Sequence, residues 1–361
     1  MKKVLLPLCL STTAAISTTH ACTTWVADTD YGVTVTRSVD WDSKLGAIAH
    51  VYPKGTQLET VAVPGYAKPA KWTSKYQTLA IEEYVLFQGV AVTAINMEAG
   101  LSANGQYLDD SKPFLQEHKD SGASAVALMN ATTYIASNFA TATEVKEAFE
   151  KNQFQIAWGA GLAGAQHGAH FSVQDKEGNK LLIQLNRGGE QRLYYNDADL
   201  RSMTNSPLQQ YQREYVSQLD MSKPETLSKL NADISPKDRN ARMLFMSDKV
   251  KLKGQQLTWA QTEGKVLGVF DAAVLVPQDV VEVETGGIYP TWVSYVYNLE
   301  TGSFKLRDHD TYDSIRFNFA DVAKFKKPMC ADLPKQAGAG KGTALWSSCD
   351  KVIPKLTVAD H

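Results

Sequence analysis

The residues in this chain best suited to covalent chemistry are Cys22, Arg37 and Asp40. If a peptidase cuts after Ala21, Cys22 gains a free α-amino group beside its own thiol. A thiol of pKa about 8.5 and an α-amine of about 7.7 to 8.0 are matched closely enough for the amine to take the thiol proton near neutral pH. No catalytic histidine is then required. A guanidinium near the sulfur favours thiolate, and a carboxylate can orient the amine. Arg37 and Asp40 are three positions apart, a spacing that turns side chains to opposite faces of a strand. The expectation is therefore that Asp40 lies past the strand end if both serve one site. The plainer alternative for such an Arg-Ser-Val-Asp run is a surface ion pair.

The cut itself is signalled by what precedes it. Lys2 and Lys3, the mostly apolar stretch from Val4 to Ile16, and the small-residue approach to Ala21 have the form of a secretory leader, which gives domain limits of 1–21, 22–323 and 324–361. The apolar run is too short to cross a bilayer, and no later window offers about 20 apolar residues. The expectation is an exported protein, periplasmic or secreted. Lipidation of Cys22, which would make the chain a lipid-anchored binding protein, is disfavoured because Thr19 and His20 stand where that signal wants Leu and a small residue. The formal net charge is −2, becomes two units more negative without Lys2 and Lys3, and shows no basic tract, so neither nucleic acid nor an anionic membrane is implied as a partner.

Cysteine usage agrees with export. Of the 4 cysteines, Cys9 goes with the leader, Cys330 and Cys349 lie near the C-terminus, and Cys22 stands apart. In an oxidising compartment Cys330 and Cys349 bridge, which leaves Cys22 as the odd, reactive thiol.

These residues need a scaffold, and the hydrophobic periods outline one. Alternation from Cys22 to Pro53, with turn chemistry at Asp28 to Gly32, predicts a hairpin at the mature N-terminus. Strand plus loop follows from Val51 to Thr73, then strands over Tyr84 to Met97 and Leu101 to Tyr107. Helical spacing appears from Ser121 to Lys151, where Thr141 and Glu144 form a cap signature. Sheet pattern returns from Ala169 to Gln184, Arg192 to Tyr195 and Arg201 to Thr204. Helices are expected at Pro207 to Leu219, Pro236 to Met246 and Thr258 to Ala272. The last strands are expected at Ile288 to Leu299, Ser303 to Leu306 and Ile315 to Phe319. Blocks of strands and helices in this order suit a layered α+β fold in one domain from Cys22 to about Ala323, followed by a disulfide-tied tail.

Several motifs fail on context. Gly159-Ala160-Gly161-Leu162-Ala163-Gly164 matches a dinucleotide fingerprint, yet a strand near His170 follows it where a helix is needed, so a tight loop near the active site is the better reading. Gly338 to Thr343 lacks the first glycine of a phosphate loop, since Lys335 occupies that place. His167 with His170, and Asp308-His309-Asp310, show no metal-ligand spacing, so no metal is expected.

Cys22-Thr23-Thr24 followed by Thr36-Arg37-Ser38-Val39-Asp40-Trp41 resembles the start of the choloylglycine hydrolase family of penicillin V acylases and conjugated bile salt hydrolases. Three further segments extend the resemblance: Glu98-Ala99-Gly100-Leu101-Ser102 with Tyr107, Met203-Thr204-Asn205-Ser206-Pro207, and Asp238-Arg239-Asn240-Ala241-Arg242. Met97 and Asp238 depart from the Asn and Ser usual in that pattern. The resemblance implies a four-layer αββα N-terminal nucleophile hydrolase with two stacked antiparallel sheets. It implies hydrolysis of a linear amide C–N bond in a small molecule, without metal or cofactor, and commonly a homotetramer. It assigns Cys22 as nucleophile, Arg37 and Asp40 beside it, the Tyr107 N–H and the Asn205 side chain as oxyanion donors, and Arg239, with Arg242 as competitor, as the active-site arginine. Asn205 alone also reads as a helix cap before Pro207. Trp41 and Trp25 are candidates to line an acyl pocket. The leader resembles the exported Gram-negative branch, so a penicillin V acylase is the first expectation, with bile salt hydrolase and acyl-homoserine lactone acylase as alternatives.

Overall fold

The computed structural model describes residues 22–161 and 166–354. The leader, the cut after Ala21 and the Leu162 to Gly164 end of the glycine-rich stretch lie outside the described residues. In chain order the strands are β1 (Thr23–Thr29), β2 (Gly32–Asp40), β3 (Ile48–Tyr52), β4 (Gln57–Glu59), β5 (Lys71–Thr73), β6 (Thr78–Glu83), β7 (Val90–Asn96), β8 (Leu101–Tyr107), β9 (Ser124–Val126), β10 (Phe154–Ile156), β11 (Ala169–Asp175), β12 (Lys180–Leu185), β13 (Gln191–Tyr195), β14 (Ser202–Thr204), β15 (Thr291–Asn298), β16 (Ser303–Asp308), β17 (Ser314–Asn318), β18 (Met329–Asp332) and β19 (Ser347–Ser348). The helices are α1 (Ala131–Asn138), α2 (Ala142–Glu150), α3 (Gln209–Ser217), α4 (Pro236–Lys249), α5 (Trp259–Val274), α6 (Phe319–Val322) and α7 (Leu333–Gly338).

The alternation at the mature N-terminus becomes the β1–β2 hairpin. Tyr31 N–H donates to Thr29 Oγ1 at 3.1 Å in the turn, and Gly32 takes a φ of 88° where a Cβ would meet Glu300 at 3.0 Å. This hairpin lies in a six-stranded sheet of order β14-β1-β2-β15-β16-β17. A nine-stranded sheet, β13-β12-β11-β8-β7-β6-β3-β18-β19, stacks on it. Every strand pair within the two sheets is antiparallel.

The period of two decides which side chains enter which layer. Val33, Val35 and Val39 of β2 and Tyr295 of β15 point between the sheets and pack against Val51, Leu79, Ile81 and Ile95 of the larger one. From the opposite face of the smaller sheet Trp25, Ala27 and Val296 pack on Met243 of α4 and Phe270 of α5. The outer face of the larger sheet, with Leu101, Ala103, Phe171 and Val173, buries Ile135 of α1 and Val145 of α2. The result is helix, sheet, sheet, helix, the αββα order implied by the resemblance.

Several elements differ from the sequence reading, among them β9, a strand inside the span from Ser121 to Lys151 that reads as helical, and β7, which begins at Val90 rather than Tyr84. β6 was not expected, because Glu82 and Glu83 give it a polar look, yet all its residues are buried. The segment after Ala323 is not an appended tail: β18 pairs with β3 inside the larger sheet, with Cys330 opposite His50, and α7 packs Leu333 and Ala337 into the inter-sheet core. Cys330 and Cys349 are disulfide-bonded.

Candidate active site

Cys22 stands at the entrance of β1 and is 6% exposed. The hairpin register sets Thr23 opposite Ser38 and Thr24 opposite Arg37. Paired residues share a face, so Thr24 and Arg37 turn toward the second sheet while Thr23, Ser38 and Asp40 turn toward α4. Asp40 is the last residue of β2, not a residue past it. The expectation that Asp40 must lie past the strand end to serve one site with Arg37 is corrected by this geometry: Arg37 and Asp40 approach Cys22 from opposite sides.

On the inter-sheet side Arg37 is fully buried. Its Nη2 donates to Gly105 O of β8 at 2.6 Å and its Nη1 to Thr24 Oγ1 at 3.4 Å. On the helix side α4 begins with Ser235 as N-cap and Pro236 in its first turn, which sets Arg239 one turn in. Arg239 is also fully buried. Its Nε donates to Ile234 O at 2.9 Å, and its Nη1 reaches Cys22 O at 3.3 Å, Asp40 Oδ2 at 3.4 Å and Thr23 Oγ1. Arg242 points away and donates to Ala273 O at 2.8 Å and Asp233 O at 2.7 Å. Between the two candidate arginines, the structure brings Arg239 to Cys22.

Ser38 links these groups, and nothing in its sequence context marked it. Its hydroxyl accepts the Thr23 N–H at 3.1 Å and donates to Asp40 Oδ2 at 3.0 Å. Asp40 Oδ1 is buried and meets no full hydrogen-bond geometry among the described residues, with the Thr291 hydroxyl as the neighbour that helps the carboxylate. Burial raises the Asp40 carboxyl to about 6 against the opposing pull of Arg239. Burial likewise pushes the Cys22 thiol up, with Arg37 pulling it down. His170 on β11 is fully enclosed, and burial pushes it down to about 3, so it accepts no proton at neutral pH.

Asn205 follows β14, which is held on β1 by the pairing of Thr204 with Thr23. Its Nδ2 donates to Tyr107 O at 2.8 Å. It does not cap α3, whose N-cap position is Leu208. Tyr107 ends β8, and its hydroxyl donates to Asp109 Oδ1 at 2.8 Å. Arg37, Asp40, Asn205 and Arg239 thus meet around Cys22, although three separate stretches of chain supply them.

Beside Cys22 a cavity of about 60 Å3 is lined by Trp41, Leu45, Phe87, Val92 and Tyr107 among others. Trp41 makes edge contacts with Phe87 at 4.9 Å and Tyr107 at 6.0 Å between ring centroids. Phe87 escaped the sequence reading because Tyr84 to Met97 was read as one strand, whereas β7 begins only at Val90 and Phe87 lies in the bend before it. Trp25 is 1% exposed and belongs to the helix-facing core, so it does not line this cavity. The odd position that faces α5 on β1 accounts for it.

Across Tyr107 lies a second hollow of about 300 Å3 that includes Asp109, Asp110, Lys237, Glu282 and Glu284. Four carboxyl groups there face one ammonium.

The chain is similar in structure to a penicillin V acylase from Agrobacterium tumefaciens, with a TM-score of 0.71 and 23% identity over 86% of this chain and 91% of that one. A conjugated bile acid hydrolase from Clostridium perfringens gives a TM-score of 0.66 and 16% identity over 83% of this chain and 93% of that one. No curated protein sequence matches the chain. The model of the linear amide C–N hydrolases, choloylglycine hydrolase family, matches residues 22–324, and this chain belongs to that family.

Proposed function

We propose that the chain, once cut after Ala21, hydrolyses a small acyl amide with Cys22 as nucleophile and the Cys22 α-amine as base. The observation that carries this reading is the convergence of Arg37, Arg239 and Asp40 on Cys22 from the two faces of the hairpin. The family match beginning at residue 22 supports the position of the cut. With His170 held neutral by burial, the α-amine is the base of suitable pKa. Asp40 Oδ1, buried and meeting no full hydrogen-bond geometry among the described residues, is a fitting acceptor for the resulting ammonium. An exported, periplasmic setting fits both the leader and the disulfide.

In the first step the sulfur bonds to the carbonyl carbon and the π electrons move to oxygen. The Tyr107 N–H and Asn205 Nδ2 receive that oxyanion. Asn205 Nδ2 uses one hydrogen on Tyr107 O, which fixes the amide and leaves the second for the substrate. The ammonium then protonates the leaving nitrogen as the C–N bond breaks. Water attacks the thioester, returns its proton through the amine and frees the acid.

On the acyl side, the cavity of about 60 Å3 is smaller than the roughly 150 Å3 hollow that takes one benzene ring. A steroid nucleus requires a much larger displacement of the walls around Trp41 and Phe87 than a phenoxyacetyl or linear acyl group does. This favours the penicillin V type of substrate over bile salts. A second reading has its own support, which weighs against penicillin V as well as bile conjugates: the hollow beyond Tyr107, with four carboxyl groups against Lys237, disfavours leaving groups that carry a carboxylate or sulfonate. An acyl-homoserine lactone releases a lactone amine without such a charge. A hydrolysis panel of penicillin V, glycine and taurine bile conjugates and long-chain acyl-homoserine lactones decides among them by kcat/KM. Turnover of none of these removes the reading, and preference for bile conjugates contradicts the cavity argument.

A further inference from the structure

Away from Cys22, the edge of the larger sheet gathers another set of reactive groups. His50 of β3 lies opposite Cys330 of β18, and Cys330 is bonded to Cys349 just beyond β19. A ring nitrogen of His50 and the two sulfurs lie within 4.8 Å of one another. None of these residues lines the cavity beside Cys22.

The imidazole is held as a ligand would be. Glu82 is 3% exposed and sits 3.0 Å from His50 Nδ1, and it accepts hydroxyl hydrogens from Tyr52 and Tyr84, each at 2.6 Å. A carboxylate that collects two hydroxyl donors is an acceptor, so Nδ1 carries the hydrogen. Tyr52 stacks on the imidazole at 3.8 Å between centroids and fixes its plane. Nε2 is left buried with no partner among the described residues, in a side chain that is 8% exposed as a residue. A carboxylate on one imidazole nitrogen with the other nitrogen open is the outer shell that metal-binding histidines use.

We propose that Cys330, Cys349 and His50 form a redox-gated site for a thiophilic divalent cation such as Zn2+, closed while the disulfide stands and opened by a dithiol reductant. The reductant gives two electrons and two protons to the disulfide and leaves as its own disulfide; the cation then displaces two protons from the thiols. Around one zinc ion, with bonds of about 2.3 Å to sulfur and about 2.0 Å to nitrogen, ligand atoms stand roughly 3.5 Å apart. The 4.8 Å spread therefore closes by side-chain rotation. Cys349 is only half-buried, which gives the ion a path in and a water the fourth position.

The test uses the chain beginning at residue 22 with Cys22→Ser, in which Cys330 and Cys349 are the remaining thiols. After dithiol reduction and removal of the reductant, Cd2+ titration is followed by the thiolate-to-cadmium absorption, and Zn2+ uptake by competition with a chromogenic chelator. The expected result is one ion per chain in the reduced form and none in the oxidised form. His50→Gln weakens binding tenfold or more, and Glu82→Gln weakens it by about 10- to 100-fold through the imidazole. Circular dichroism of each form accompanies the titration. Equal uptake by oxidised and reduced protein, binding by His50→Gln as tight as by its parent, no uptake after reduction, or loss of the native spectrum on reduction would each overturn the proposal. None of these readouts depends on amide hydrolysis.

Discussion

Asp40→Asn, made in two forms of the chain, tests how the carboxylate and the freed amine depend on each other. In a form that retains Ala21, the Cys22 nitrogen is an amide, and burial raises the Asp40 carboxyl from 3.8 to about 6. A group whose folded pKa lies above its unfolded value supports the fold when protonated: that support is complete below pH 3.8 and lost as pH rises through 6. At pH 7 the buried carboxylate therefore costs the fold about 3 kcal/mol, at about 1.4 kcal/mol per pKa unit. Asn carries no charge and can still accept the Ser38 hydroxyl hydrogen. A chain of about 340 residues has an unfolding entropy near 0.7 kcal/mol/K, so Asp40→Asn raises Tm by about 4 °C in this form. In the form that begins at Cys22, an ammonium about 4 Å from the carboxylate contributes about 4 kcal/mol at an effective dielectric of 20, enough to reverse the sign. There Asp40→Asn lowers Tm or leaves it unchanged. Thermal melts of the four proteins at pH 7 provide the comparison. A shift of equal sign and size in both forms would refute the pairing of Asp40 with the amine.

Three further outcomes follow from the same geometry. Asn205→Ala lowers kcat by about 10²- to 10³-fold with little change in KM, since it removes one oxyanion donor, as steady-state kinetics would show. Arg37→Met removes the cation that pulls the buried Cys22 thiol down, so the acid limb of the kcat/KM profile moves to higher pH; an unmoved limb contradicts the role given to Arg37. Cys330→Ser with Cys349→Ser opens a loop with a sequence separation of 19 and costs about 3 kcal/mol, measured as a Tm drop of about 4 °C with full activity retained.

The hairpin that carries Cys22, Arg37 and Asp40 of the candidate site was legible from strand alternation, whereas Tyr107, Asn205 and Arg239 were expected from the family resemblance alone. The β1–β2 hairpin follows from turn chemistry and β-branched periods, the turn before Leu101 marks the strand that runs to Tyr107, and the helix expected from Pro236 is α4. What alternation does not give is depth. β6 has two glutamates that read as surface, yet Glu82 is satisfied by His50, Tyr52 and Tyr84 inside the sheet. Trp25 and Trp41 have the same chemistry, and only the face of the strand separates a core residue from a cavity wall. Ser38 was invisible for another reason: a strand serine has no local mark, and its bridge between Thr23 and Asp40 exists only once the hairpin register and α4 are both in place. β18 is four residues long and carries no period of its own, so its place beside β3 is decided by pairing alone.

The central claim is that the group created at Cys22 by the cut is the base. The most direct measurement compares hydrolysis by three purified proteins whose N-termini are verified by mass spectrometry: one beginning at Cys22, one beginning at Ala21, and one beginning at residue 22 with Cys22→Ser. The account predicts turnover by the first alone, and a thioester adduct on residue 22 when its reaction is quenched early. Full activity in the protein that keeps Ala21, or in Cys22→Ser, would contradict it.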